Sequence, residues 1–217
     1  VLASYQNVRS YYLRVYEAKF ILGAIAAALS ENDEIGYIAD YPIYGTPTSI
    51  NAFALGAQMV NPRAQIVLEW STLPGHSPEA ALAARGVHII SSRDISAPHL
   101  ESRAFGLYHE QDGVIANLAM PIWNWGKLYE GIVRSILTGA WSDEGEHNAD
   151  RAMNYYMGMS TDAIDIICSQ RLPARTRRLV DLLHERIRAG AFLPFVGPIV
   201  DQAGQVRVAA DVALTPQ

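Results

Sequence analysis

The chain has 217 residues, of which half are hydrophobic and 18% are charged, and its formal net charge at pH 7 is -5. This composition is typical of a globular protein with a substantial core, in one domain or two small lobes, and it lacks the basic clusters of nucleic-acid-binding proteins. The single cysteine, Cys168, excludes a disulfide within the chain and any multi-cysteine metal site. The densest basic stretch, residues 171–179, is predicted to be a solvated helix face.

Helical and strand patterns alternate from the start of the chain. Spacing of apolar residues predicts a helix over residues 12–29 and a buried strand over residues 35–39. A loop then leads to Thr46, the predicted N-cap of a second helix, with Pro47 at its first position. Asn61-Pro62 is predicted to end that helix.

The same alternation continues through the middle of the chain. A strand is predicted at residues 65–70, and Ser77-Pro78 begins a short helix that ends at Gly86. Three more strands are predicted, at residues 87–90, 104–108 and 114–120. We therefore expect an α/β fold with a doubly wound, mostly parallel sheet.

The sequence MPIWNWGKLYEGIVRSIL, residues 120–137, places two tryptophans at the start of an amphipathic helix that Gly139 closes. Residues 141–150 are polar and irregular, and are the predicted connection between lobes. After them we predict a strand at residues 155–159, a short apolar segment at residues 163–168, a helix at residues 173–188, and a hairpin that turns at residues 202–204.

No motif of nucleophilic catalysis, phosphate binding or dinucleotide binding occurs in the chain, and Cys168 is predicted to be an inert buried thiol. Two polar clusters contain potential metal ligands, but neither has the ligand spacing of a helical zinc motif. The clusters are His109, Glu110 and Asp112, and Asp143, Glu144, Glu146, His147 and Asp150. We expect neither a metal nor a cofactor.

Polar and aromatic residues follow the ends of the predicted strands, where open α/β sheets bind their ligands. These predicted ligand-binding residues are Asp40, Tyr41, Tyr44, Ser92, Asp94, Tyr108, Glu110, Trp123, Asn124 and Trp125. Such a set suits a flat, neutral, polar molecule. Because Trp123 and Trp125 are two residues apart on an extended segment, only one should face the cleft, and Trp123 is the predicted stacking surface. Asn124 and Gly126 are predicted to shape the helix start.

The stretch IGYIADYPIYGTPTSINAFALGAQMVNPRAQIVLEW resembles the basic membrane lipoprotein family of ABC-transporter substrate-binding proteins. YEAKFILGAIAAALSENDEIGYIA upstream and the Trp-Asn-Trp-Gly helix downstream extend the resemblance, and LPFVGPIVDQAGQVR is a weaker match. The resemblance implies a two-lobed periplasmic binding protein fold of the first type, with a purine nucleoside or nucleobase bound between the lobes. It also implies an ABC-transporter permease as partner, and a periplasmic or membrane-anchored lipoprotein location outside the cytoplasm.

The resemblance also implies a division of the chain. Residues 1–113 would form the second lobe, residues 114–150 a strand and helix that return to the first lobe, and residues 151–217 a crossover, the C-terminal helix and the hairpin. Most of the first lobe is then expected upstream of Val1, and the apolar stripe of the tryptophan helix needs a partner from that sequence, a second chain or a different packing. Where the family usually has an aspartate after a strand, this chain has Tyr108, with Glu110 two residues later.

Three functional hypotheses follow. The first is a non-enzymatic solute-binding protein that captures a neutral, nucleoside-like ligand for ABC-transporter uptake. The second is a ligand-sensing or protein-interaction module with an altered or lost pocket, able to self-associate through the first-lobe segment. The third is a hydrolase that uses the carboxylates of Glu110 and Asp112.

Overall fold

A computed structural model of the chain describes residues 10–94, 103–141 and 155–214. The acidic cluster of residues 143–150, and with it most of the predicted inter-lobe connection, lies outside these ranges. Within them the strands are β1 Tyr11–Leu13, β2 Glu34–Ala39, β3 Gln65–Trp70, β4 Ile89–Ser91, β5 Leu107–Gln111, β6 Val114–Trp123, β7 Tyr155–Met157, β8 Ile164–Cys168, β9 Ile199–Val200 and β10 Val206–Val208. The α-helices are α1 Val15–Leu29, α2 Thr46–Val60, α3 Pro78–Ala84, α4 Trp125–Leu137 and α5 Ala174–Arg188.

Six strands form the central sheet in the order β3-β2-β4-β5-β6-β8. β2 pairs in parallel with β3 and β4, whereas the pairs β4-β5, β5-β6 and β6-β8 are antiparallel. Four of the six strands, β3, β2, β4 and β6, therefore run in the same direction, and the predicted α/β fold is confirmed. The antiparallel side was not predicted, and it arises where Asp112 and Gly113, with φ of 52° and 76°, turn β5 back as a two-residue hairpin.

Helices cover both faces of this sheet. Along β2, Tyr37 packs into the larger apolar cluster with α1, α2 and α5, whereas Ile38 packs into a smaller cluster with Leu82 of α3. Successive side chains of a strand point to opposite faces, so a strand buried on both sides reads as continuously apolar. This double burial explains why residues 35–39 contain no charged side chain.

α1 and α2 pack closely on the larger face. Gly23 and Gly56 make this contact possible, because a Cβ atom on Gly23 would lie 2.0 Å from the Phe53 oxygen and one on Gly56 would lie 1.9 Å from the Phe20 oxygen. α2 holds the loop after β2 at the sheet edge. Its N-cap is Gly45, with φ of 87°, rather than the predicted Thr46, because the chain enters the helix through a left-handed residue.

A second, two-stranded sheet pairs β1 with β7 in parallel. This pairing corrects the predicted start of the first helix, since residues 11–13 are extended beside residues 155–157 and α1 begins only at Val15. Arg14 donates its backbone N–H to the Met157 oxygen at 2.7 Å, and Met159 donates its N–H to the Glu17 carboxylate at 2.7 Å. The chain segments that follow β1 and β7 are thus hydrogen-bonded to each other at the start of α1.

Glu17 is buried at this junction, with Arg14 Nε 2.9 Å from its Oε1. Burial raises its pKa, against the opposing effects of the Met159 N–H and Arg14. The pKa of Glu17 is therefore higher in the folded state than in the unfolded state. Its protonated form contributes stability that is fully present below the unfolded-state pKa and is lost as pH rises through the folded-state pKa. We expect the unfolding free energy of the wild type, minus that of Glu17→Gln, to increase as pH falls from neutral. Urea titrations over a pH series measure this difference, and a flat or reversed slope would contradict it.

α4 leaves most of its apolar stripe exposed. Leu128 is fully buried, but Tyr129, Val133, Ile136 and Leu137 are 53 to 81% exposed. The predicted amphipathic helix is therefore present, whereas its apolar face has no cover among residues 10–94, 103–141 and 155–214.

Elsewhere the predicted Ser77 N-cap is confirmed, as is the hairpin that joins β9 and β10. No helix in the described part is long and apolar enough to cross a membrane.

Candidate ligand-binding cleft

An open cleft of about 620 Å³ lies at the carboxyl ends of β2 and β4. β2 continues through α2 to β3 on one side, and β3 continues through α3 to β4 on the other side of β2. The chain thus winds outward from β2 to β3 and then returns across β2 to β4, so the winding reverses between β2 and β4. Open α/β sheets form their binding crevices at such a point. β1 and the junction of β6 with α4 complete the walls of this cleft.

Seven of the ten predicted ligand-binding residues line the cleft. They are Asp40, Tyr41, Tyr44, Ser92, Asp94, Trp123 and Trp125. The loops after β2 and β4 supply five of these residues, and the β6-α4 junction supplies both tryptophans. Residues far apart in sequence therefore meet where the strand-end argument placed them.

Tyr108 and Glu110 do not reach the cleft. Because β5 is antiparallel to β4, it runs away from the cleft edge, and residues 107–111 lie within the strand rather than beyond its end. Tyr108 is fully buried in the smaller apolar cluster opposite Ile90. Burial, with Glu79 and Glu110 nearby, raises its pKa. Among the described residues no group of three potential metal ligands occurs.

Asn124 also lies outside the cleft lining. Its side-chain amide donates to the Asp162 oxygen at 2.8 Å, and its backbone N–H donates to the Ala163 oxygen at 3.0 Å. Both bonds join the start of α4 to the segment that precedes β8. Asn124 therefore positions the two flanking tryptophans instead of facing the cleft.

Trp123 and Trp125 both line the cleft, so the prediction that only one would face it is wrong. The prediction assumed an extended chain, but β6 ends at Trp123 and α4 begins at Trp125, and Asn124 between them has φ of −86° and ψ of 67°. That bend turns the second indole to the same side as the first. Trp123 also packs against the larger core, whereas Trp125 is 38% exposed.

Tyrosines extend this aromatic lining. The Tyr11 ring lies edge-on to Trp125 with centroids 6.0 Å apart, and Tyr12 lies edge-on to Tyr44 at 5.1 Å. Burial is the main reason that the pKa of Tyr12 rises to about 12, and Tyr156 and Tyr44 contribute less. The phenol of Tyr12 is therefore neutral at physiological pH. The cleft thus presents aromatic faces from β1, the β2-α2 loop and the β6-α4 junction.

Lys19 is a cleft residue that the sequence analysis missed. It is 2% exposed in the second turn of α1, and its Nζ lies 2.5 Å from Asp94 Oδ1 and 3.4 Å from Ser91 Oγ. Burial would lower the pKa of Lys19, but Asp94 and Tyr37 beside it hold the pKa above its usual value. A lysine within the apolar run YEAKFILGAIAAAL was the available signal, because an unpaired buried ammonium is rare.

Asp40 is engaged by the loops around it. Ser71 donates to its carboxylate, Thr72 donates to its main-chain oxygen at 2.5 Å, and Arg93 Nε lies 3.5 Å from its Oδ1. The four charged side chains that the described residues contribute to the cleft thus form two opposite pairs, Lys19 with Asp94 and Arg93 with Asp40. This described part of the lining has no net charge to select a phosphate or a carboxylate ligand.

Residues 2–82 match the Bmp family model, described as ABC transporter substrate-binding protein PnrA-like. The predicted resemblance to this family is confirmed. Over 91% of its length, this chain is 28% identical to a purine-binding protein of Brucella abortus, and it covers 58% of that relative. It is 31% identical to a putative ABC transporter glucose-binding protein of Haloferax volcanii, over 63% of the chain and 38% of the relative. The chain thus spans less than two thirds of the length of each of these relatives.

Solved structures agree with a periplasmic binding protein-like fold for this chain. An ABC transporter solute-binding protein from Conexibacter woesei superposes with a TM-score of 0.57 at 14% identity, over 86% of this chain and 65% of that one. A transcriptional activator of the comK gene from Bacillus halodurans superposes with a TM-score of 0.60 at 14% identity, over 86% and 67%. At such identities the likeness concerns the fold alone.

Proposed function

We propose that the protein captures a flat, neutral ligand, a purine nucleobase or nucleoside, in the cleft at the ends of β2 and β4. The observation that carries this proposal is a cleft lined by Trp123, Trp125 and several tyrosines, whose charged side chains neutralise one another in pairs. Aromatic faces stack on every nucleobase, and a lining without net charge does not require an anionic ligand. The name of the Brucella relative supports the same ligand class.

Glucose is the competing ligand, because the Haloferax relative is named as glucose-binding. A pyranose also packs on indoles, but it needs several polar groups to match its hydroxyls. In this cleft one oxygen of the Asp40 carboxylate is bound by Ser71 and Arg93, and one oxygen of the Asp94 carboxylate is bound by Lys19. The lining therefore favours a ligand with a broad aromatic face and few polar edges.

The whole protein is proposed to have two lobes that close over the ligand and deliver it to an ABC-transporter permease outside the cytoplasm, whether in the periplasm or as a lipoprotein. The six-stranded sheet would form one lobe, while the β1-β7 sheet and α4 would belong to the other. The exposed face of α4 supports this division, since Tyr129 and Leu137 are 59% and 81% exposed. β6 stays in the six-stranded sheet, so we draw the boundary between lobes at α4 rather than at residue 114.

The exposed apolar face of α4 could instead bind a second copy of the chain. The protein would then have a sensing or interaction role in place of solute capture for transport. Sedimentation of the full-length protein separates these arrangements, because a closed two-lobed protein should be monomeric. A concentration-dependent dimer that Val133→Glu disrupts would favour the interaction reading instead. Val133 is 53% exposed among the described residues, so under the interaction hypothesis the substitution removes the dimer contact and keeps the monomer folded, whereas in a two-lobed protein it should destabilise the packing of α4.

Isothermal titration of the full-length protein with adenine, hypoxanthine, adenosine, inosine and glucose tests the ligand proposal. We expect saturable heat with at least one purine and none with glucose. Chromatography of the same mixtures tests the hydrolase hypothesis, and we expect the ligand to be recovered unchanged. Heat with glucose alone, or turnover of the ligand, would overturn the proposal.

A further inference from the structure

The buried pair of Lys19 and Asp94 joins the floor of the cleft to the loop after β4. Protein groups surround the Lys19 ammonium, with Asp94 Oδ1 at 2.5 Å, Ser91 Oγ at 3.4 Å and the Tyr37 ring centroid at 5.4 Å. An ammonium has three protons to donate, and these neighbours occupy its surroundings. Lys19 therefore acts on Asp94 and not directly on a ligand.

Asp94 has a second carboxylate oxygen that is available to a ligand. Across residues 10–94, 103–141 and 155–214, only Oδ1 of this carboxylate takes part in a hydrogen bond or an ion pair. The side chain is 17% exposed and lines the cleft, as does Ser92 two residues earlier. The loop after β4 thus contributes both a carboxylate oxygen and a hydroxyl to the cleft that the tryptophans also line.

We propose that Lys19 is a positioning residue that holds Asp94 so that its second oxygen accepts a hydrogen bond from an N–H on the edge of the bound heterocycle. The inference rests on the proposed function and narrows the ligand class to planar heterocycles with such an N–H. Ser92 pairs with the neighbouring donor or acceptor on the same edge.

Two physical effects make this arrangement selective. A carboxylate accepts a shorter and stronger hydrogen bond than a neutral oxygen does, and here Lys19 already balances its charge, so a neutral ligand is not penalised. Without the ammonium, the same carboxylate would turn toward water, because an unpaired charge beside apolar groups is costly. Recognition of the N–H therefore depends on a residue that does not touch the ligand.

Methylated ligands separate this role from general support of the fold. Isothermal titration of the full-length protein uses hypoxanthine and its 1-methyl, 7-methyl and 9-methyl derivatives. In the wild type, methylation at one of these nitrogens should weaken binding by about tenfold or more, since it removes a charge-assisted hydrogen bond. The Lys19→Met variant should bind hypoxanthine about as weakly as it binds the methylated derivative that loses affinity in the wild type. The affinity of the variant for that derivative should stay within about twofold of the wild-type value.

A purely structural role for Lys19 gives a different result. Lys19→Met would then bind hypoxanthine and the methylated derivative more weakly by the same factor, and the ratio of the two affinities would equal that of the wild type. That outcome overturns the inference, as would a wild type that binds all four purines equally. Lys19→Met/Asp94→Leu, which removes both charges, replaces the single variant if Lys19→Met does not fold, and should show the same lost discrimination. Arg63→Met, which breaks an exposed pair with Asp33 outside the cleft, is the matched control and should change nothing. If no purine binds the wild type, the proposed function fails as well.

Discussion

Replacing Trp125 with alanine should weaken purine binding roughly five- to 150-fold, because stacking of a base on an aromatic side chain contributes about 1–3 kcal/mol. Trp125 lines the cleft, is 38% exposed and packs edge-on against Tyr11. Trp123→Ala should cost at least as much affinity, and stability in addition, since this indole also packs against the larger core. Isothermal titration gives the affinities, and thermal melting gives the stabilities.

Conservative and distant substitutions give the controls for the tryptophan variants. Trp125→Phe keeps an aromatic face and should retain most of the affinity. Leu182→Ala removes an exposed apolar side chain from α5, outside the cleft lining, and should leave binding unchanged. If Trp125→Ala bound purines as tightly as Leu182→Ala, stacking on Trp125 would be refuted.

Gly23→Ala and Gly56→Ala should each lower the unfolding free energy by about 3 kcal/mol or more, at the upper end of overpacking effects. The added Cβ atom would lie 2.0 Å and 1.9 Å from backbone oxygens, which cannot rotate away as a side chain does. The helices must separate, and the core between them loses contact. For a chain of this size the melting temperature should fall by roughly 6–12 °C.

Gly131→Ala is the matched control for the two helix-contact glycines. It also lies inside a helix, but a Cβ atom there would have nothing within 4 Å. Alanine is preferred to glycine in a helix interior by about 1 kcal/mol, so this variant should be as stable as the wild type or more so. Equal destabilisation by all three substitutions would contradict the role of Gly23 and Gly56 in the helix contact.

Local patterns predicted most elements of this fold. Apolar spacing and helix-start residues predicted α2, β3 and α3 almost to the residue, because caps, prolines and burial are encoded locally. The direction of β5 depends on pairing with distant strands, yet a local signal was present. Asp112-Gly113 between two apolar runs is a strong hairpin signal, and using it would have placed β5 antiparallel to β6.

The cleft was predictable wherever it depends on strand ends, as at Asp40 and Ser92. The prediction was wrong where it depended on strand direction, since Tyr108 lies in the core rather than beyond a strand end. It was also wrong for the tryptophans, because one bend at Asn124 decides their orientation. Lys19 was missed because its partner, Asp94, is 75 residues away in the chain.

A crystal structure of the full-length protein with a bound purine tests the central claim most directly. We predict that the ring plane lies in the cleft at the ends of β2 and β4, stacked on Trp123 or Trp125, with an edge N–H directed at Asp94. A purine bound elsewhere, for example in the groove between α2 and the β9-β10 hairpin that includes Gln58 and Arg207, would contradict the account.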